Sequence, residues 1–315
     1  MPFSLVLSIL ADVCTIPSYP ESIRPDRNHI EILQPYLLTH RRRISELSMS
    51  ALVPFASKHD THVASFIDSA GNTQYMISGI NRRFDGNMEK FAVFPAGYPG
   101  REMMVSIMKK VSVISFIPVD DVMEWTRHIS RDFPHLAVTE DRDNADYVYR
   151  KQDLITLQGP QLHKKLAHAL KFEAEHSEHF IVDVADTPQA DMISVLDQWA
   201  AGKDVVEDYE AVRISLELRK ELNLEGIAVY ARPGEPVAFT LVEYDGSDRV
   251  ITHTEKAIPS YKGVYQFLNR ALAMSLPPDV VDINREQDLG IPGLRQAKKT
   301  YQPYTFVTKY KIELP

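Results

Sequence analysis

Two rhythms of apolar and polar positions run along this chain, and they come in a similar order twice. His62-Val-Ala-Ser-Phe-Ile and Gln74-Tyr-Met-Ile-Ser-Gly alternate with a period of two around Gly71-Asn72, which predicts a β-hairpin. A short strand follows at 90–95, then a helix at 101–111 and a strand from Val113 to Val119. A helix from Asp121 to Arg131 starts behind an acidic cap, and Asp146-Tyr-Val-Tyr begins a further strand. Ahead of the hairpin, residues 15–27 carry three prolines and read as a linker. Residues 28–57 read as helical, with Ile30, Leu33, Leu37 and Leu38 at helical spacing, and Arg41-Arg42-Arg43 reads as a solvated helix end.

The pattern then restarts. Residues 159–177 predict a long charged helix, Phe180-Ile-Val-Asp-Val a strand, and Met192–Ala201 and Tyr209–Leu222 two helices. Ile227-Ala-Val-Tyr-Ala, Val237-Ala-Phe-Thr-Leu-Val and Val250-Ile-Thr-His-Thr-Glu predict an antiparallel meander, with turns at Gly234-Glu235 and Asp245-Gly246-Ser247. Val264, Phe267, Leu268, Ala271 and Leu272 line one face of a helix. A buried strand at 280–284 (Val280, Val281, Ile283), a basic helix opened by Pro292 and Gly293, and a final strand Thr305-Phe-Val-Thr-Lys-Tyr310 close the chain. Two similar element orders predict a structural duplication, although no residue-level repeat accompanies it. The expected division is an arm at 1–23, a first domain at 24–158, a connecting helix at 159–177 and a second domain at 178–315.

Composition narrows the function. A chain of 315 residues suits two domains, and 44% hydrophobic with 25% charged residues is a globular balance. The formal charge of −8 argues against indiscriminate nucleic-acid binding but leaves room for a local basic patch. The single cysteine, Cys14, excludes an intramolecular disulfide and a cysteine-rich zinc site. Nothing requires an oxidising compartment, so a cytoplasmic location is expected. The first 14 residues contain a short apolar stretch, yet no Lys or Arg precedes it and it is too short to span a bilayer. An arm packed on the body is expected there, and no other segment suggests a membrane span. His176 and His179, like His59 and His62, match no metal motif and have no third ligand in view. No metal and no cofactor are expected, and no Ser–His–Asp or Cys–His set is visible.

The order of residues 178–315 is β, α, α, three antiparallel strands, α, β, α, β, which is similar to the GNAT acyltransferase fold. In that fold the fourth strand splays from the next, and the following helix starts at the gap, where its N-terminus can meet phosphates. Here the corner is Glu255-Lys-Ala-Ile-Pro-Ser-Tyr-Lys-Gly-Val-Tyr265, in which Gly263 permits close backbone approach and Lys262 adds a cation. The usual acetyl-CoA loop, (Arg/Gln)-x-x-Gly-x-(Gly/Ala), is absent.

Three stretches, EKAIPSYKGVYQFLNRA, NREQDLGIPGLRQAKKTYQP and DYVYRKQDLITLQG, together resemble the family named for the C-terminal domain of phosphatidylglycerol lysyltransferase, over roughly residues 24 to 315. The resemblance implies an α+β fold of two tandem GNAT-like units, related to the Fem-type aminoacyltransferases, with mixed, mostly antiparallel sheets flanked by helices. It implies aminoacyl transfer from aminoacyl-tRNA to an amine or hydroxyl. The flippase half of the lipid-modifying members is missing, so the expected acceptor is a soluble small molecule or peptide. The family's central helix reads Gly-x-x-x-x-Lys-Lys-Arg-Asn-x-x-Asn-x-Phe. This chain keeps Gly159, Lys164, Lys165 and Phe172 but has Leu166, Ala167 and Leu170 at the polar positions.

Expected roles follow. Glu255 and His253 are the catalytic candidates, placed on one face by strand alternation. Related folds use a carboxylate at this corner as general base or to hold the donor's α-amine. Raising its pKa requires burial or a like charge, which Asp288 or Glu286 would supply. The plainer reading of Glu255 is a salt bridge to Lys256 or Arg285. Donor-binding candidates are Lys256, Tyr261, Lys262, Gly263, Asn284, Arg285, Asp288, Arg295, Lys298 and Lys299, and acceptor-binding candidates are Lys164 and Lys165. Arg295, Lys298 and Lys299 form a cationic stripe expected, with Lys262, to share a surface with Lys309 or Lys311; the alternative is that Lys298 and Lys299 offset a helix dipole. Asn284, Arg285 and Asp288 read alternatively as a network fixing the turn. Three functions stand: an aminoacyl-tRNA-dependent aminoacyltransferase, an acyl-CoA-dependent N-acyltransferase, and a non-catalytic binding module on the same scaffold.

Overall fold

The computed structural model describes residues 15–82, 86–201, 208–246 and 248–314. The apolar stretch at 1–14, with Cys14, and Ser247 of the expected turn lie outside the described residues. The segment read as helical at 28–57 is two helices, α1 (Ile30–His40) and α2 (Met49–Phe55), the second capped by the Ser48 hydroxyl. Strands β1 (His62–Ile67), β2 (Thr73–Arg82) and β3 (Met88–Val93) form an antiparallel meander. Helix α3 (Arg101–Met108) then crosses to β4 (Val113–Pro118), which lies parallel to β3. Next come α4 (Val122–Asp132), β5 (Thr139–Glu140), β6 (Asp146–Arg150) and a short α5 (Lys151–Thr156) that the sequence pattern did not reveal.

The second half repeats the plan. After α6 (His163–Glu175) come β7 (Phe180–Asp183), α7 (Gln189–Ala200) and α8 (Tyr209–Glu217). Strands β8 (Glu225–Arg232), β9 (Glu235–Tyr244) and β10 (Arg249–Ala257) continue the antiparallel meander. Helix α9 (Val264–Ser275) crosses to β11 (Asp282–Asn284), parallel to β10. Helix α10 (Pro292–Lys299), with Pro292 in its first turn, leads to β12 (Thr305–Val307) and β13 (Lys309–Glu313). The fold is α+β and GNAT-like, with two mostly antiparallel sheets of order β1-β2-β3-β4-β13-β5 and β12-β6-β11-β10-β9-β8-β7.

These orders show a reciprocal exchange. Strand β6, from the first half, sits between β11 and β12 in the second sheet. Strand β13, from the end of the chain, sits between β4 and β5 in the first. The final strand expected as one piece is therefore two short strands in two sheets. Sheet membership does not follow the linear division at 158 and 178. One apolar core spans both halves, joining Leu33, Leu37, Met49 and Phe91 to Val195, Leu196, Leu216 and Phe239.

A buried ionic network lies where the exchanged strands meet. Lys309 of β13 is fully buried and donates to Asp146 of β6 at 2.6 Å and to Glu46 of the α1–α2 link. Asp146 also accepts from the Ser45 amide and hydroxyl and from Asn284 of β11. Burial works against the Lys309 charge, but the two carboxylates hold its pKa above the ordinary value. Lys309 thus lies in the interior, away from the surface expected to carry it. Removing one partner of a buried pair strands the other charge. Asp146→Ala is expected to lower unfolding free energy by about 3–5 kcal/mol in chemical denaturation. Lys171→Ala, at an exposed pair with Glu175, should change it by no more than about 0.5 kcal/mol.

Candidate active site

The second sheet opens between β10 and β11. The two strands pair only from Arg249–Ile251 to Asp282–Asn284. Strand β10 runs on to Ala257 against β9, while the chain beyond Asn284 turns away. That turn is fixed from inside. The buried Asn284 accepts from the Glu286 amide at 2.7 Å, Glu286 has a positive φ of 57°, and Lys298 of α10 donates to the Arg285 and Gln287 carbonyls.

Two charge pairs bridge the opening. Arg285 donates through Nη2 to Glu255, with both side chains largely buried. Beside them, His253 meets Glu286 at 2.8 Å through Nδ1 and Glu243 at 3.0 Å through Nε2. A β-bulge between Thr252 and Thr254 interrupts the ladder at His253, so simple alternation does not place it relative to Glu255. A carboxylate only accepts, so both ring nitrogens must carry protons. Burial opposes that charge, yet the bonds that His253 donates to Glu243 and Glu286 raise its pKa to about 9. Burial would raise the Glu243 carboxyl, but His253 and then Arg41 hold it down at about 2. Two carboxylates thus favour the imidazolium form of His253. Glu243 continues to Arg41, whose guanidinium also meets Asp245 and the Tyr244 carbonyl. Arg41, read as solvated, is in fact buried.

Around Arg285 stand Tyr301, Tyr149 and Lys165. The guanidinium carbon lies 4.9 Å from the Tyr301 ring centre and 5.7 Å from that of Tyr149. The Lys165 amine lies 4.5 Å from the Tyr301 ring centre. Burial lowers the Lys165 pKa, and Arg285 lowers it further. Burial brings Lys298 down to about 8, with Glu286 opposing the fall. Asp288 and Glu286, expected to lend Glu255 a like charge, are each bound to a cation. Fully buried Asp288 is held by Arg295, Tyr147 and Arg142, and Glu286 by His253.

Other candidates separate from this cluster. Arg295 is bound to Asp288 and Asp143, and Lys298 points into the turn, so the stripe on α10 is not one solvent face; Lys299 alone of the three is exposed. Lys256 meets Asp208 at 2.5 Å and lies over Trp199 of α7. Tyr261 donates to Glu235. Lys262 and Lys164 are exposed. Gly263 has φ +85°, and a Cβ there would lie 2.1 Å from the His168 carbonyl oxygen of α6. The close approach that this glycine permits is made by α6. Surface grooves of about 220 Å³ beside Tyr19 and about 390 Å³ beside Phe267 lie elsewhere. Among the described residues, no group of three or more His, Cys, Asp or Glu side chains could hold a metal ion. Nor is any helix of these residues long and apolar enough to cross a membrane.

The family described as phosphatidylglycerol lysyltransferase, C-terminal, matches residues 111–313. The chain belongs to this family. The lysyltransferase match covers every residue of the opening, from Tyr149 and Lys165 to Glu255, Arg285 and Tyr301. A search of curated proteins finds no match. Among solved structures, a conserved protein of unknown function from Bacteroides thetaiotaomicron superposes with TM-score 0.73 at 24% identity, over 93% of this chain and 99% of that one. The C-terminal domain of a putative lysylphosphatidylglycerol synthetase from Agrobacterium fabrum gives 0.55 at 13% identity, over 89% and 92%. The L-PGS structure from Bacillus licheniformis gives 0.51 at 15%, over 80% and 83%. At these identities the likeness is one of fold.

Sequence reasoning missed Arg41, Glu243 and the pair Tyr149–Tyr301 as parts of the site. Glu243 left a signal, a carboxylate directly after the apolar run Val237–Val242 that the sheet buries. The raised pKa of His253 has a definite sign. Its stabilisation is fully present below the unfolded value of about 6.5 and is lost as pH rises through about 9. The stability gap between the native chain and His253→Gln, measured by urea denaturation, should therefore narrow between pH 7 and pH 10. A constant gap would show that the imidazolium is not held as described.

Proposed function

We propose that this chain is an aminoacyltransferase that moves an aminoacyl group from aminoacyl-tRNA to an amine or hydroxyl of a soluble acceptor. The observation that carries the reading is the opened β10–β11 pair, lined by Glu255 and Arg285 and lying wholly within the segment matched to the lysyltransferase family. In this reading the acceptor's nucleophile attacks the carbonyl carbon of the aminoacyl ester. A new C–N or C–O bond forms, the bond to the ribose oxygen breaks, and the acceptor's proton ends on that oxygen. Glu255 relays the proton or holds the donor's α-amine, and Arg285 fixes its orientation. Gln at 255 keeps the shape and removes the charge, so Glu255→Gln is expected to lower turnover at least about tenfold with the fold intact. Unchanged turnover would take Glu255 out of the chemistry.

The competing donor is an acyl-CoA, whose phosphates need the start of the helix after the splay. The approach of His168 to Gly263 favours aminoacyl-tRNA, because α6 already lies against that helix start. Thermal shift with total aminoacyl-tRNA and with acetyl-CoA separates the two, since a ligand of the native state raises its melting temperature. A shift with aminoacyl-tRNA alone is expected; a shift with acetyl-CoA alone would reverse the assignment, and a shift with neither would favour a binding module.

Because Arg295 is bound to two aspartates and Lys298 points into the turn, exposed Lys164, Lys262 and Lys299 are the candidate cations left to meet tRNA phosphates. Charge reversal at Lys262 and Lys299 is expected to weaken tRNA binding and to flatten the log–log salt slope by roughly 0.7–0.9 per lost phosphate contact. Lys298→Glu should act first on stability, because it breaks the turn from inside.

A further inference from the structure

Far from the opening, one edge of the second sheet is bare. Strand β7 pairs with β8 alone and ends the sheet. Backbone bonds alternate sides along such a strand. The Val184 amide donates to the Gly226 carbonyl, in line with β8, so Val182 and Phe180 bond toward β8 as well. The N–H and C=O of Ile181 and the N–H of Asp183 therefore point away from the sheet. Among the described residues, no strand or isolated bridge pairs with that edge, whereas β1, at the edge of the first sheet, is bridged by Ser18 and Ile23. Bare edges are usually blunted by charge or proline. Strand β7 instead carries Phe180 and Ile181, 37% and 43% exposed. Ile181 also lines the groove of about 390 Å³ beside Phe267, together with Met274, so neither α6 nor α9 closes over it.

We propose that β7 is the contact between two copies of this chain, paired antiparallel about a two-fold axis at Ile181, so that the sheet of one copy continues into the other. The edge is complementary to itself in this register. Ile181 faces the partner's Ile181, and the two exchange both backbone bonds. Residue 179 then faces residue 183, and the Asp183 N–H meets the carbonyl of the partner's His179. Two backbone groups at the edge stay out of this ladder, the His179 N–H and the Asp183 carbonyl. These are the ones already used within the chain, bonded to the His176 carbonyl and the Asp186 amide. Moving the partner by two residues in either direction would call on one of them. The register also sets the basic side chain of His179 opposite the acidic one of the partner's Asp183, on one face and twice by symmetry. Four residues of strand with Ile181 and Met274 make a small interface, so the dimer is expected to dissociate on dilution.

The test uses the full chain with no donor or acceptor, so it stands apart from the transferase reading. Sedimentation velocity over a concentration series measures the dimer, and amide hydrogen exchange reads the edge directly. A monomer–dimer equilibrium is expected, with the Ile181 and Asp183 amides protected at high concentration and exchanging freely at low. Ile181→Pro removes an N–H that points away from β8 and so spares the intrachain ladder. Ile181→Lys sets two ammonium groups against each other at the axis. Each should weaken the dimer at least about tenfold. Met123→Lys, at a residue 85% exposed on α4, should change nothing. A monomer at every concentration overturns the proposal, as does a dimer that both Ile181 variants leave intact. Protection of Ile181 and Asp183 that is independent of concentration also overturns it, because a segment of the same chain, such as the apolar stretch at 1–14, would then be the occupant. Melting curves of each variant at low concentration confirm that a lost dimer is not a lost fold.

Discussion

One buried lysine holds the two halves of this molecule in register. Lys309 arrives on a strand that the end of the chain lends to the first sheet, and its amine reaches Asp146 on a strand that the first half lends to the second sheet. A lysine with no exposed surface is tolerable only where carboxylates are already placed for it. Glu46 and Asp146 are those carboxylates, and Asp146 is positioned in turn by Ser45 and Asn284. Sliding either exchanged strand by one residue would reverse its faces and leave a bare charge in the core. Hydrophobic burial resists the same slip, because it would turn apolar side chains out of the core. The ionic network adds a penalty that depends on direction as well as face.

The site inherits that register. Asn284 gives one end of its amide to Asp146 and the other to the Glu286 backbone, so the turn that opens the sheet is tied to the network beneath it. From the turn the charges alternate in sign: Glu286, His253, Glu243 and Arg41, with Arg285 and Glu255 alongside. His253 sits between two glutamates, Glu243 between His253 and Arg41, and Arg41 between Glu243 and Asp245, which makes the row stiff and costly to interrupt. Arg41 comes from the end of α1 in the first half, and Glu255 lies near the end of β10 in the second. The duplicated architecture thus serves the opening directly, since the first half supplies charges that hold the wall of the second.

What the sequence revealed, and what it hid, divides along physical lines. Strands and helices with strong periodicity were legible: the hairpin at 62–82, the meander at 225–257 and the amphipathic helix at 264–275 all lie close to where alternation and helical spacing put them. The corner at Glu255 was legible because strand, turn and helix follow one another there. The strand exchange was not, because β6 and β13 look like ordinary strands and pairing partners leave no local trace. The sign of exposure misled most often. Arg41, Arg295, Lys298 and Lys309 were all read as surface cations, and each is held by a carboxylate or carbonyl distant in sequence or around a turn. A charged residue in a polar stretch carries no local mark of burial; only the position of its partner decides. The bulge at His253 is a similar case, since one extra residue defeats an alternation argument without altering composition.

Helix α6 ties these threads together, because it meets the site at two places at once. Its backbone at His168 closes on Gly263, where any side chain would collide, so it lies against the start of α9. One turn earlier it delivers Lys165 to the ring of Tyr301. Phe172, fully buried against Phe267, holds the helix in that pose. The contact at Gly263 crowds the start of α9, while the contact at Tyr301 brings Lys165 to the ring that Arg285 also approaches. The walls of the opening are therefore set by the connection that crosses the sheet as well as by the sheet that gives the fold its likeness.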